Sequence, residues 1–331
     1  MKSLLFTILL VVSAGALRAQ FAFDTSAAVK NVPGLYSILI TKHDGLVYSH
    51  YFNGGSAETL FNDQSLTKSI GAILIGIAID KGFIPSVDEP ISRWFPSLKT
   101  DTDGRKATIT LREVMNQASG LYHEDLTRLG YYLSLDDPSG RVLSAPLAGE
   151  PGKAWVYNNA ASHLLSVILT KSTGMDTRTF AAKFLFTPLG ITTFEWMKMR
   201  DGFYDGSGLL SIRLHSADLL KIGSLLLHEG KYNGQSIVSG GWVEAIMQPT
   251  VIYPAGWGFH SSTYALDWYH AEVDGVKFTY GMGWGGQFLV VIPSLSAVVV
   301  VNESVADATA IRQSVNFQSR LFPLLLAELR N

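Results

Sequence analysis

The residues best placed to do chemistry are Ser65 and Lys68 in the run Ser65-Leu66-Thr67-Lys68. A serine hydroxyl is a weak nucleophile at neutral pH and needs a neighbouring base. Residues three apart share one face of a helix, so Lys68 stands one turn beyond Ser65, within reach of its proton. Residues 70–79 are apolar on every side, the pattern of a helix buried in a core. Burial there lowers the pKa of an ammonium toward that of a useful base. Ser65 also stands where a helix N-cap belongs, a role that needs no chemistry.

Two further groups lie downstream. Tyr157-Asn158-Asn159 follows the turn at Pro151-Gly152, where a loop enters a helix over 159–173 that Gly174 closes. A phenol near an ammonium is drawn toward phenolate and can relay a proton to and from Ser65. Asn159 can donate to a substrate carbonyl, hold the lysine, or merely cap the helix. The other group is Gly281-Met282-Gly283-Trp284-Gly285-Gly286-Gln287, which runs into the apolar strand 288–292. Its glycines let backbone come close to a ligand, and amides on such an edge can stabilise an oxyanion. The same run spells Gly-x-Gly-x-x-Gly, but a dinucleotide fingerprint needs a helix after the glycines. Here a strand follows.

The elements that must position these groups are legible as a bracket of strands around a helical middle. Runs 36–41 and 46–51, joined by His43-Asp44-Gly45, read as a hairpin. The helix of Ser65 and Lys68 stops near Lys81-Gly82. Thr110 and Glu113 form a capping box for a short helix. Further helices are expected over 216–229, 241–248 and 307–329, and strands over 276–280, 287–292 and 297–302. This predicts an α/β (α+β) protein whose antiparallel sheet comes from both termini, flanked by helices, with a mostly helical domain inserted. Residues 20–62 and 240–331 form the sheet-containing domain, residues 63–239 the helical one, and the active site lies between them.

Bulk properties narrow the partners. With 47% hydrophobic residues, 16% charged residues and a formal net charge of −2, the chain is an ordinary globular protein with no footprint for nucleic acid. Lys2, the apolar run 4–12 and the small residues before a cleavage point after Ala19 read as a signal peptide over 1–19. That run is shorter than the roughly 20 residues a spanning helix needs, so stable membrane insertion is not expected. A periplasmic or secreted location follows, and the absence of cysteine excludes disulfide stapling. The eight histidines are scattered, without metal-ligand spacing, and no Gly-x-Ser-x-Gly elbow is present. Neither a metal nor a cofactor is expected.

Taken in order, Ser65-x-x-Lys68, Tyr157-x-Asn159 and the glycine-rich edge strand resemble the serine β-lactamase and penicillin-binding superfamily, in its class C-like branch. Ile109-Thr110-Leu111-Arg112, Ser119-Gly120-Leu121, Glu150-Pro151-Gly152, Pro188-Leu189-Gly190-Ile191 and Gly206-Ser207-Gly208-Leu209 sit where that branch has counterparts. The resemblance implies that Ser65 is the acylated nucleophile, and that Lys68 and Tyr157 form its base system. It also implies that Asn159 contacts Lys68 and the substrate, and that the amides of Ser65 and Gln287 form an oxyanion hole. True β-lactamases carry Lys-Thr-Gly where this chain has Trp284-Gly285-Gly286, a variation similar to the family VIII carboxylesterases. An indole in place of a cation removes charge recognition and adds an apolar wall. Trp284, Gly285 and Gly286 are therefore expected at the substrate, with the loop around Tyr131 or the segment 257–269 lining a pocket. The expectation is a carboxylesterase for small uncharged esters, working through an acyl-enzyme on Ser65. The alternatives are an amidase, a D-amino-acid peptidase or a weak β-lactamase and, in another class, a catalytically silent ligand-binding relative.

Overall fold

The computed structural model describes Asp24, residues 26–30 and residues 32–331; the leader read in residues 1–19 lies outside them. The main sheet is assembled from both ends of the chain. Near the N-terminus come β1 (Leu35–Lys42) and β2 (Gly45–Tyr51). The remaining strands are β3 (Tyr253–Pro254), β4 (Thr263–Ala265), β5 (Trp268–Val273), β6 (Val276–Gly283), β7 (Gln287–Ile292) and β8 (Ala297–Glu303). Neighbours are antiparallel in the order β2-β1-β8-β7-β6-β5-β4-β3. The hairpin β1–β2 turns on His43 and Asp44, both left-handed at φ 48 and 63, with Lys42 paired to Gly45. That is a two-residue turn of the mirror-image type, which matches strand twist. The glycine is therefore the first residue of β2 rather than part of the turn.

Strands β7 and β8 are buried on both faces, and their period of two divides the interior into two cores. Leu289, Val291, Val298 and Val300 face one of them; Phe288, Val290, Ile292, Val299 and Val301 face the other. The first core holds the main helices: α1 (Leu66–Asp80), α2 (Asn159–Thr173) and α3 (Ser216–Leu227). The second is closed by the C-terminal helices, which begin with α4 (Asp307–Asn316). Helix α3 lies directly on the sheet, and a Cβ on Gly223 would stand 2.3 Å from Val298. Helix α1 touches α2 on one side and β6 and β7 on the other. The nucleophile helix thus occupies the seam between the helices and the sheet.

Sequence reasoning placed the capping box correctly: Glu113 N–H donates to Thr110 Oγ1 at 3.2 Å and Thr110 N–H to Glu113 Oε2 at 2.7 Å. Gly174 closes α2 at φ 68. The structure departs from expectation at three places. Strands β3–β5 extend the sheet beyond the strands read from sequence. A small sheet of Phe61–Asn62, Ile212–Leu214 and Glu195–Trp196 lies within the middle of the chain. The C-terminal helix widens into a π turn over Phe317–Leu321 before Phe322–Leu329, where Pro323 has no N–H to give the preceding turn. Among the described residues, no helix is long and apolar enough to cross a membrane.

Candidate active site

Ser65 stands at the head of α1, but its hydroxyl does not cap the helix. The residue before it, Gln64, is left-handed at φ 51, a sparsely populated geometry for a non-glycine residue. Three bonds hold that corner: Gln64 N–H donates to Ser211 Oγ at 2.7 Å and to Asn62 Oδ1 at 3.2 Å, and Gln64 Nε2 donates to Asn62 Oδ1 at 2.8 Å. Gly208 packs against the same corner, where a Cβ would fall 2.5 Å from Gln64 O and 2.7 Å from Ser65 Cα. Ser65 Oγ instead meets Lys68, whose Nζ lies 3.2 Å away.

Lys68 is 2% exposed and surrounded by oxygen. Besides Ser65 Oγ, its Nζ lies 3.0 Å from Tyr157 OH and 2.7 Å from Asn159 Oδ1, and it donates to the Ser207 carbonyl. An ammonium has three N–H groups. The Asn159 and Ser207 oxygens can only accept, so they claim two of them. The third direction faces two hydroxyls that can give or take a proton. When the amine loses its proton, the vacated lone pair points at Ser65 and Tyr157 and nowhere else.

Each partner is placed by its own local structure. Asn158, not Asn159, caps α2, accepting from Ala161 N–H at 2.8 Å. Asn159 is therefore free to face Lys68. Asp205 gathers the Ser207 loop: Oδ1 accepts from Ser207 N–H at 2.7 Å, and Oδ2 accepts from Leu210 and Ser211 N–H at 2.8 and 3.0 Å. Sequence reasoning noted Gly206-Ser207-Gly208 only as a matching segment; Asp205 ahead of Gly-Ser-Gly was the available turn signal. It also missed Glu124, whose buried carboxylate accepts from Asn159 Nδ2 at 2.6 Å.

The glycine-rich strand reaches this corner by close approach. A Cβ on Gly281 would stand 2.9 Å from Ser69 Oγ, and one on Gly283 only 2.3 Å from Asp63 O. Gly285 and Gly286 serve differently: at φ 89 and 107 they form the turn into β7, pressed against Ser304 O and the Glu303 carboxyl. Gln287, opposite Gly283, ties the turn to β8, donating from Nε2 to Glu303 O at 2.6 Å and accepting at Oε1 from Asn302 Nδ2 at 3.1 Å. Trp284, at the tip, is 44% exposed. Trp257, also exposed, meets the Tyr157 ring edge-on at 6.0 Å, with Trp155 behind both. Tyr131 is exposed beneath Arg128. A cavity of about 420 Å³ lined by Tyr36, Phe61, Asn62, Glu303 and Val305 lies apart from Ser65, Lys68 and Tyr157.

Behind Lys68 is one more ionisable group. Asp267 is fully buried; Oδ1 accepts from Gln117 Nε2 at 3.2 Å and from Tyr264 OH at 3.0 Å, and Oδ2 has no hydrogen-bond partner among the described residues. Burial pushes its carboxyl up to about 7, against the opposing pull of Lys68 and the two hydrogen bonds. A carboxyl whose folded pKa exceeds its unfolded value contributes stability that is complete below the unfolded pKa, near 4, and is lost as pH rises through 7. The contribution is on the order of 4 kcal/mol across that window. Thermal melts from pH 5 to 8 should therefore fall less steeply for Asp267→Asn than for wild type; equal slopes would rule this group out as the cause.

The beta-lactamase family model matches residues 22–313. The chain belongs to the beta-lactamase family. Its relatives include the esterase EstB of Burkholderia gladioli, 26% identical over 199 residues, which are 53% of this chain and 50% of that one. Another is the ML-236A carboxylate methylbutanoyltransferase mlcH of Penicillium citrinum, 24% identical over 218 residues, covering 55% and 52% of the two chains. The chain thus spans about half the length of the curated relatives it matches. Among solved structures, the octameric penicillin-binding protein homologue from Pyrococcus abyssi superposes with a TM-score of 0.68 at 20% identity, over 90% of this chain and 74% of that one, a likeness of fold. The chain has the beta-lactamase fold, and the mixed α/β architecture with its antiparallel sheet is the one expected from sequence.

Proposed function

We propose that this beta-lactamase family member is a serine hydrolase that forms an acyl-enzyme on Ser65 and cleaves small uncharged esters. The observation that carries the reading is the placement of Lys68 Nζ between Ser65 Oγ at 3.2 Å and Tyr157 OH at 3.0 Å, with its other hydrogens held by carbonyl oxygens. In acylation the Ser65 proton passes to the Lys68 lone pair, directly or through Tyr157, as Oγ bonds to the ester carbon. The resemblance assigns the negative charge on the carbonyl oxygen to the amides of Ser65 and Gln287. As the C–O bond to the leaving alcohol breaks, the same proton returns to that oxygen. Water then repeats the sequence on the acyl-enzyme, its proton taken by Lys68 and Tyr157, and releases the acid with Ser65 restored.

Substrate choice rests on the Trp284-Gly285-Gly286 turn, which offers an exposed indole and no cation. An uncharged ester meets no penalty there, whereas an anionic substrate finds no counter-charge. The name of the esterase relative points the same way. The leader read in residues 1–19 supports a periplasmic or extracellular site for the reaction. Turnover of p-nitrophenyl acetate and butyrate, beside nitrocefin, tests the reading in wild type and in Trp284→Lys. Wild type should favour the esters by at least about tenfold in kcat/KM, and the variant should shift toward the anionic lactam. Dominant nitrocefin cleavage by wild type would replace the esterase reading with that of a weak β-lactamase; activity on peptides or amides alone would replace it with an amidase or D-amino-acid peptidase.

A further inference from the structure

Glu124 takes no part in the reaction just described, yet it is 2% exposed and lies one amide away from Lys68. Both of its oxygens accept N–H bonds at the start of α2: Oε1 from Asn159 N–H at 3.3 Å and Asn159 Nδ2 at 2.6 Å, Oε2 from Ala160 N–H at 2.9 Å. The first turn of a helix favours negative charge, so the main chain fixes this group independently of Lys68. A carboxylate only accepts, and an ammonium only donates. Asn159 stands between the two, its NH2 toward Glu124 and its Oδ1 toward Lys68. Inverting that amide would press NH2 against ammonium and oxygen against carboxylate.

We propose that Glu124 is a positioning residue that locks the orientation of the Asn159 amide and thereby aims the Lys68 amine at Ser65 and Tyr157. The inference rests on the proposed roles of Ser65 and Lys68. Without Glu124 only the charge on Lys68 sets the sense of the Asn159 amide; once the amine is neutral it can accept from the amide NH2 as well as donate to Oδ1, and one of the two acceptors that pin Lys68 is lost in part of the population. The titratable groups around the pair are Tyr132, which faces Glu124 from the helix Leu129–Ser134 and also feels Asp201 and Asp205. Tyr157 contacts Lys68, and Asp267 feels it through space. His123 and Asp125 flank Glu124 in the chain.

Glu124→Gln keeps the shape but brings an NH2 that can donate to Asn159 Oδ1, which removes the lock. It should lower kcat on p-nitrophenyl acetate about 10- to 100-fold, the scale of a misaimed catalytic group, with KM within about twofold. Losing a negative charge near the ammonium favours its deprotonation, so the acid limb of kcat/KM should move to lower pH. Glu124→Asp retains the charge and should keep the wild-type limb with part of kcat restored. In an Asn159→Ala background, Glu124→Gln should change kcat less than about twofold, because the relay is already cut; Glu124→Asp takes its place in that cycle if the Gln variant does not fold. Wild-type kcat and acid limb in Glu124→Gln would overturn the proposal. So would a loss of kcat with an unmoved limb and full additivity with Asn159→Ala, which would assign Glu124 to stability alone. Ser65→Ala run in parallel separates the two readings: activity retained there removes the nucleophile, whereas a dead Ser65→Ala beside an unaffected Glu124→Gln removes only the lock.

Discussion

Ser65→Ala will lose ester turnover by at least about 10³-fold while folding as the wild type does. The size follows from removing a nucleophile on which both half-reactions depend. The intact fold follows from geometry. Ser65 Oγ does not cap α1 and, among the described residues, accepts only from Lys68. Lys68 keeps Tyr157, Asn159 and Ser207 as acceptors when that oxygen is gone, so no buried ammonium is orphaned, the circumstance that makes such deletions costly. Steady-state rates with p-nitrophenyl acetate, thermal melts of both proteins and mass spectrometry of the trapped acyl-enzyme check this together. Turnover near the wild-type rate in the purified variant would place the nucleophile elsewhere.

Gly283→Ala will cost activity and stability at once, although the glycine lies in an ordinary strand conformation and touches no substrate atom in the scheme above. Its added methyl would stand 2.3 Å from Asp63 O and 3.0 Å from the Cβ atoms of Gln64 and Gln287. The nearest obstacle is backbone on the residue before Gln64, so no side chain can swing away. The strand and the nucleophile corner must separate, and a displacement of about 1 Å at reacting groups costs on the order of 100-fold in rate. Overpacking of this kind also destabilises by about 1–3 kcal/mol. The measurements are kcat/KM with a small ester and the thermal midpoint. A folded variant with wild-type kcat/KM would mean that the β6 edge and the Ser65 corner are not geometrically coupled.

What the sequence made legible was what short-range rules determine. The spacing of Ser65 and Lys68 within an all-apolar helix, the Thr110–Glu113 box and the Gly174 cap each depend on residues within one or two turns, and each stands as read. Tyr157 and Asn159 stood out at the junction of a loop with a helix, and the structure brings both to Lys68 across 89 and 91 residues of chain. Strands β3 and β4 are two and three residues long, too short for alternation to register, and they exist because β5 gives them an edge to join. Glu124 escaped notice because its effect on Lys68 passes through Asn159, 35 residues away in sequence. No local pattern encodes a relay whose middle member has to fold into place first.

The strand order carries a consequence for how the chain is made. Hairpin β1–β2 joins the sheet only through β8, its partner 263 residues on at the pairing of Ile38 with Val301. On a chain emerging N-terminus first, that hairpin has no seat until residues near 303 have appeared, and Asn62, Gln64, Ser65, Lys68 and Ser211 have all emerged before the edge carrying Gly283 and Gln287 exists. Pairing across such separations is slow and leaves strand edges open meanwhile. The sheet can therefore close only once its last strand has been made, long after Ser65 and Lys68 have emerged.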